Sequence, residues 1–142
     1  MLKTDHPGAR LSHQFKGPGK ILFDVHVRFA DGQEVIIELD GAWHFVPFRR
    51  KQDMISLEKF DGYSRRDLLK EEWATKNKLP IIRVLQEDVW KDRGDWRGYV
   101  MRNINMILNG DIPRFVITPL RAEYESGVYR ALRKRRRACK KY

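Results

Sequence analysis

Glu34-Val35-Ile36-Ile37-Glu38-Leu39-Asp40-Gly41-Ala42-Trp43-His44-Phe45 is the stretch on which the reading of this chain turns. It opens as a strand, because Val35, Ile36, Ile37 and Leu39 are the bulky, mostly β-branched residues that strands favour. Two carboxylates interrupt that pattern. Glu38 and Asp40 stand two residues apart, so a strand throws both to one face. Gly41 lets the backbone turn, and His44 follows between aromatic residues. A carboxylate buried in an apolar strand is costly unless a cation meets it. A divalent ion is one such partner, and hard oxygens suit magnesium. The plainer alternative is an edge strand whose Glu38 faces water, with Asp40-Gly41 as ordinary turn chemistry.

Upstream, Leu22, Asp24, His26 and Arg28 alternate with Phe23, Val25, Val27 and Phe29. That period of two marks a half-buried strand over 21–29 whose apolar face is the Phe23 series. Asp31-Gly32 then signals a hairpin. With Ala30 to Gln33 as the loop, Phe29 pairs with Glu34 and Asp24 falls opposite Leu39, between Glu38 and Asp40 in height. A slip of one residue would change which face Glu38 shares. Residues 1–20 carry breakers at Pro7-Gly8 and Gly17-Pro18-Gly19 and read as an irregular lead-in.

Downstream, 46–62 has mixed polarity and reads as a loop rising from the same end. Its Arg49, Arg50 and Lys51 could touch a phosphate backbone or simply be solvated. Residues 64–78 read as a helix, with Ser64 as N-cap and Leu68, Leu69, Trp73 and Ala74 at helical spacing. Asp67 and Lys70 lie one turn apart on it. Ile81 to Leu85 is a short buried strand after Pro80, and strand–helix–strand implies a parallel crossover beside the hairpin. Asp88-Val89-Trp90 leads into a loop. A second helix over 95–109 is capped by Asp95 and stopped by Asn109-Gly110. Phe115-Val116-Ile117 suits a further edge strand. Residues 120–138 read as a basic helix. Trp43, Trp73, Trp90 and Trp96 are most simply core or near-core aromatics.

The 142 residues suffice for one domain with a real core, and 42% hydrophobic content argues against disorder. No apolar run is long enough to span a bilayer, and Met1 to Lys20 lacks the apolar stretch of a secretory signal. The single Cys139 excludes an internal disulfide and a cysteine-based zinc site. The expected setting is intracellular, cytoplasm or nucleus, with a phage or viral origin left open. Net charge is +10 and the pI near 9.9, which suggests a polyanionic partner. Arg133, Lys134, Arg135, Arg136, Arg137, Lys140 and Lys141 hold seven of those ten charges, leaving +3 on the first 132 residues. Such a segment binds phosphate, serves as a nuclear address, or is merely solvated.

Three pieces together resemble a known group: Phe23-Asp24; Ile37-Glu38-Leu39-Asp40-Gly41-Ala42-Trp43-His44-Phe45; and Asp67-Leu68-Leu69-Lys70 followed by Asn77-Lys78-Leu79-Pro80-Ile81-Ile82-Arg83-Val84. In that order they resemble the PD-(D/E)xK nuclease superfamily. Within it they are most similar to the very-short-patch-repair-type endonucleases and their phage, large-DNA-virus and homing relatives. The resemblance covers about residues 20–90. It implies an α/β, restriction-endonuclease-like core over 21–118: a mixed β-sheet with an antiparallel hairpin and a parallel crossover strand, flanked by helices. A basic C-terminal helix and tail would occupy 119–142.

The same resemblance implies that Asp24 is the central metal-binding aspartate and Glu38 the second acidic ligand. Asp40 stands where many members of the superfamily carry lysine, and would join the catalytic, metal-holding set. His44 would take part of the missing lysine's role, and Asp67 and Lys70 would support the site from the helix. The acidic residue that the very-short-patch group carries on an N-terminal helix has no clear counterpart here. The implied activity is Mg2+-dependent DNA endonuclease, with Mn2+ able to substitute. Arg49, Arg50, Lys51 and Arg133, Lys134, Arg135, Arg136 and Arg137 would hold the DNA backbone. A monomer with one site would nick, whereas a homodimer could cut both strands. Two readings from other classes compete: a catalytically inactive nuclease-fold module that binds nucleic acid, and a structural protein of a nucleoprotein particle.

Overall fold

The computed structural model describes residues 2–17, 19–41, 44–45, 49–50, 53–54, 57–112 and 114–125. After a four-residue helix α1 (Leu2–Asp5), three strands run as an antiparallel meander: β1 (Arg10–Lys16), β2 (Leu22–Arg28) and β3 (Glu34–Asp40). A two-residue pair follows, β4 (Arg49–Arg50) and β5 (Asp53–Met54), then the long helix α2 (Leu57–Lys76). β6 (Ile81–Leu85) returns parallel to β3. The short α3 (Gln86–Trp90) and α4 (Trp96–Leu108) lead to β7 (Val116–Ile117), parallel to β6, and α5 (Ala122–Glu125). The main sheet has the order β1-β2-β3-β6-β7 and is flanked by helices, a mixed α/β architecture. No helix among the described residues is long and apolar enough to cross a membrane.

Each face of the sheet meets one helix. On one side Val27, Val35, Ile37, Ile82 and Val84 pack against Val100, Ile104 and Ile107 of α4. On the other, Phe23, Ile36 and Ile81 pack under Ala74 and Trp73 of α2. β6 is buried at all five positions, as a central strand covered on both faces must be. α4 begins where its cap predicts, with the Asp95 carboxylate accepting from the Gly98 N–H at 3.0 Å. It stops at Gly110, whose φ of +83° suits glycine.

Several expectations are corrected. The lead-in is not irregular: Arg10–Lys16 is the outer strand, and its polar sequence reflects an edge with little to bury. α2 starts seven residues before Ser64, inside the stretch read as a loop, where Gly62 and mixed polarity mask the helical pattern. Asp88-Val89-Trp90 closes a short helix, α3, that the sequence pattern does not mark, and the loop expected after it follows at 91–95. Trp90 is 75% exposed, not a core residue, while Trp73 and Trp96 do pack against the two cores. Of the 120–138 helix, Ala122–Glu125 is helical, Leu120 and Arg121 precede it as non-helical chain, and 126–138, like Trp43, lie outside the described residues.

The hairpin register also differs by one. The Phe29 N–H donates to the Gln33 carbonyl at 2.8 Å, closing a three-residue loop in which Gly32 takes φ +85°. Arg28 therefore pairs with Glu34 and Val25 with Ile37. Continued by one residue, this register sets Asp24 level with Glu38, not Leu39. The alternation of β2 breaks at the same place. The β1–β2 pairing skips Gln14 opposite Asp24, and Gln14 sits at φ +52°. A break of this kind re-aims side chains: Val25 and Val27 stay on the α4 side, while Phe23 joins the α2 side.

Candidate active site

The carboxylates of β3 point to the α2 side, where the apolar packing gives way to charge. Glu38 and Asp40 are 1% and 2% exposed. Glu38 Oε1 accepts from the Asp24 N–H at 3.1 Å, and Asp24 Oδ2 accepts from the Leu39 N–H at 2.9 Å. The two side chains thus take over main-chain hydrogen bonds where the β2–β3 ladder ends, which fixes them beside each other. From α2, the Lys70 ammonium donates to Glu38 Oε2 at 2.7 Å and lies over the Phe23 ring. Burial pushes the Glu38 carboxyl above its ordinary range; Lys70 opposes the shift and the negative charge of Asp24 adds to it.

A second group sits one step along the same strand. Arg83, 1% exposed, projects from β6 under α2. Its guanidinium forks onto Asp40, with Nε to Oδ2 and Nη2 to Oδ1 both at 2.7 Å. It also donates to Glu71 at 2.7 Å and to Asp67 at 3.1 Å. Burial works against the charged guanidinium, but Asp40, Asp67 and Glu71 outweigh it and hold its pKa far above the usual value. The Tyr124 hydroxyl of α5 donates to Asp40 Oδ2 at 2.6 Å. Both Asp40 oxygens are therefore engaged by protein donors.

His44 completes the arrangement. Its Nδ1 lies 2.6 Å from Asp67 Oδ2 and 3.6 Å from Asp40 Oδ1. A carboxylate can only accept, so Nδ1 carries the proton and Nε2 remains for other chemistry. Burial disfavours the imidazolium, yet the Asp67 hydrogen bond and charge, with Asp40 behind them, raise its pKa above 6.5. Burial alone would raise the Asp67 carboxyl; Arg83 and then His44 overcome that and hold it far below the ordinary 3.8.

Asp24, Glu38, Asp40, His44, Asp67 and Lys70 are thus gathered at the end of β2 and β3 and the facing part of α2. Arg49 and Arg50 form β4, paired through the backbone with Asp53 and Met54. Lys51, Arg133, Lys134, Arg135, Arg136 and Arg137 lie outside the described residues. Sequence reasoning missed three members. Arg83 had a signal, as the lone charge in a strand buried throughout. Glu71 had a weaker one, one turn from Asp67 and next to Lys70. Tyr124 had none, since its bond to Asp40 spans 84 residues.

Among the described residues no cluster of three or more histidine, cysteine or acidic side chains has a metal-holding arrangement. Compared against protein-family models, curated proteins and solved structures, the chain finds no match.

Proposed function

We propose that this protein is a magnesium-dependent endonuclease that hydrolyses phosphodiester bonds in DNA. One observation carries the reading: Asp24 and Glu38 stand side by side at the end of the hairpin, with the Lys70 ammonium paired to Glu38. The donor set fits the ion. Magnesium typically takes one or two carboxylates and completes its shell with water and substrate phosphate. The raised pKa of Glu38 marks a buried negative charge that a further cation would relieve. Asp24 and Glu38 would hold the metal. Asp40, forked by Arg83 and bonded by Tyr124, is assigned a bracing role instead.

The bound ion would supply charge neutralisation at the phosphate and a more acidic water. The chain's own groups do the remaining work. Lys70 reaches the site from α2, where its ammonium, now on Glu38, would be available to a phosphate oxygen. Asp67 fixes the His44 tautomer and ring, so that Nε2 can take or give a proton near neutral pH. Arg83 ties Asp40, Asp67 and Glu71 together, which holds β3, β6 and α2 in one geometry.

A second reading is a nuclease-like fold that binds nucleic acid without cutting. It is favoured by the internal pairing of Glu38 with Lys70 and by the absence of a three-ligand cluster among the described residues. Supercoiled plasmid incubated with magnesium separates the two. The nuclease reading expects relaxed or linear product from wild type, and none from Asp24→Ala, Glu38→Ala or a chelated reaction. Salt-sensitive gel shifts with no cleavage in magnesium, in manganese or on branched DNA would leave the binding module.

A further inference from the structure

The carboxylate site carries a cation of its own. Glu38 has both oxygens engaged by the protein: Oε1 accepts from the Asp24 N–H at 3.1 Å and Oε2 from the Lys70 ammonium at 2.7 Å. Lys70 is the outer member of that pair, its side chain 12% exposed against 2% for Glu38. The Phe23 ring, 5.6 Å from the ammonium nitrogen, holds the charge over the site through its π face. We propose that Lys70 is a resident counter-ion, which must leave Glu38 for a divalent metal to be held there and then passes to the DNA phosphate, so that metal and phosphate bind cooperatively through one side chain.

The argument is one of charge. A carboxylate buried as deeply as Glu38 is costly when unpaired, and Lys70 offsets that cost while no other cation is there. The same pairing makes Lys70 a competitor, because an ammonium and a divalent ion on one carboxylate oxygen repel each other and one must give way. Once released, the ammonium finds Asp67, one turn back on α2, already held by His44 and Arg83. A half-buried ammonium without a partner is unfavourable in its turn, and a phosphate oxygen beside the site restores the balance. Each ligand thus removes the obstacle to the other, and the coupling is reciprocal. The proposal rests on the nuclease reading for the identity of the metal and of the phosphate.

The test is calorimetric titration of the full chain with Mn2+ in the absence of DNA, for wild type, Lys70→Met, Lys70→Arg and Arg65→Gln. Lys70→Met should bind Mn2+ about ten- to a hundredfold more tightly, the range that a charge-assisted hydrogen bond spans. Lys70→Arg keeps a cation on Glu38 and should bind no more tightly than wild type. Arg65→Gln removes an exposed charge from the same helix and should change the affinity less than about threefold, because water and salt screen it. Should Lys70→Met fail to fold, Lys70→Gln makes the same prediction. Binding of a labelled duplex, shown intact afterwards on a denaturing gel, is then compared in chelator and in Mn2+. The gain from Mn2+ should be several-fold greater for wild type than for Lys70→Met. Unchanged or weaker Mn2+ binding in the uncharged Lys70 variants would overturn the proposal. So would an equal shift in Lys70→Arg or Arg65→Gln, or equal gains on DNA. Plasmid cleavage in magnesium is scored separately. The expected shifts without cleavage would defeat the nuclease reading alone. Cleavage with a Mn2+ affinity indifferent to Lys70 would defeat this proposal alone, and no Mn2+ binding by any of the proteins would defeat both.

Discussion

The two faces of the sheet are built on opposite terms. The α4 side is built on hydrocarbon and buries no charged side chain in its core cluster: Val27, Val35, Ile82 and Val84 meet Val100, Ile104 and Ile107. The α2 side is hydrocarbon only around Phe23, Ile36, Ala74, Leu79 and Ile81. Beyond them it buries Glu38, Asp40, Asp67, Glu71 and Arg83. A buried ion-pair network is rarely the cheapest way to hold a fold, because desolvation offsets most of the attraction. The contrast therefore separates a face that stabilises from a face whose charges answer to something else.

The largest effect should come from breaking the charged face at its centre. Arg83→Met leaves Asp40, Asp67 and Glu71 without their shared cation, and a loss of about 3–5 kcal/mol is expected in denaturant unfolding. Replacing Arg83 together with its partners by apolar residues should recover much of that. If Arg83→Met alone were neutral, the network would not be holding the strands and α2 together. On the hydrocarbon face, Ile104→Ala should cost about 2–5 kcal/mol through lost burial and a cavity. It should leave nucleic-acid binding per folded molecule unchanged; a matching loss of binding would erase the distinction between the faces.

Glu38→Gln carries the opposite sign. Its folded pKa is raised, so its contribution is present below pH 4.5 and lost as pH rises through the folded value. At neutral pH the ionised carboxylate is a cost, and the amide should match or exceed wild-type stability while losing metal-dependent cleavage. Unfolding midpoints measured at pH 4 and pH 7 check this, with the advantage of Gln growing toward pH 7. A stabilising substitution that removes activity is the mark of a site residue.

The smallest expected effect is a pH dependence. His44 has a raised pKa, so what it adds to stability is complete below 6.5 and disappears as pH climbs through its folded value. Asp67, held low, contributes above 3.8 and fails only in strong acid. The stability gap between wild type and His44→Gln should therefore be widest between about pH 4 and 6.5 and narrow by pH 9. A gap that does not change with pH would show that the His44–Asp67 pair is not ionic.

Much of the charged face was legible because its parts are local. Alternation gave β2 and β3, periodicity gave the later turns of α2, and Pro80 with its apolar run gave β6. Glu38 and Asp40 follow from strand geometry once those elements are set, whereas the place of Asp67 and Lys70 in the site was what the resemblance to the nuclease superfamily implied. What was not legible depends on long-range or one-residue detail. The loop at Ala30–Gly32 is one residue shorter than the Ala30–Gln33 loop read from the sequence, and that brought Asp24 level with Glu38. The break at Gln14 and Asp24 moved Phe23 to the other core, although β2 alternates without fault in sequence. β1 is polar because it is an edge, and a polar strand resembles a loop. Tyr124 reaches Asp40 across most of the chain, and no pattern announces such a contact.

The most direct measurement is calorimetric titration of the folded protein with Mn2+ and Mg2+, without DNA, beside Asp24→Asn and Glu38→Gln. The account predicts one divalent ion bound by wild type and none by either variant, with both variants folded. Equal binding by all three proteins, or no binding by wild type, would contradict the claim that the charged end of the α2 face is a metal site.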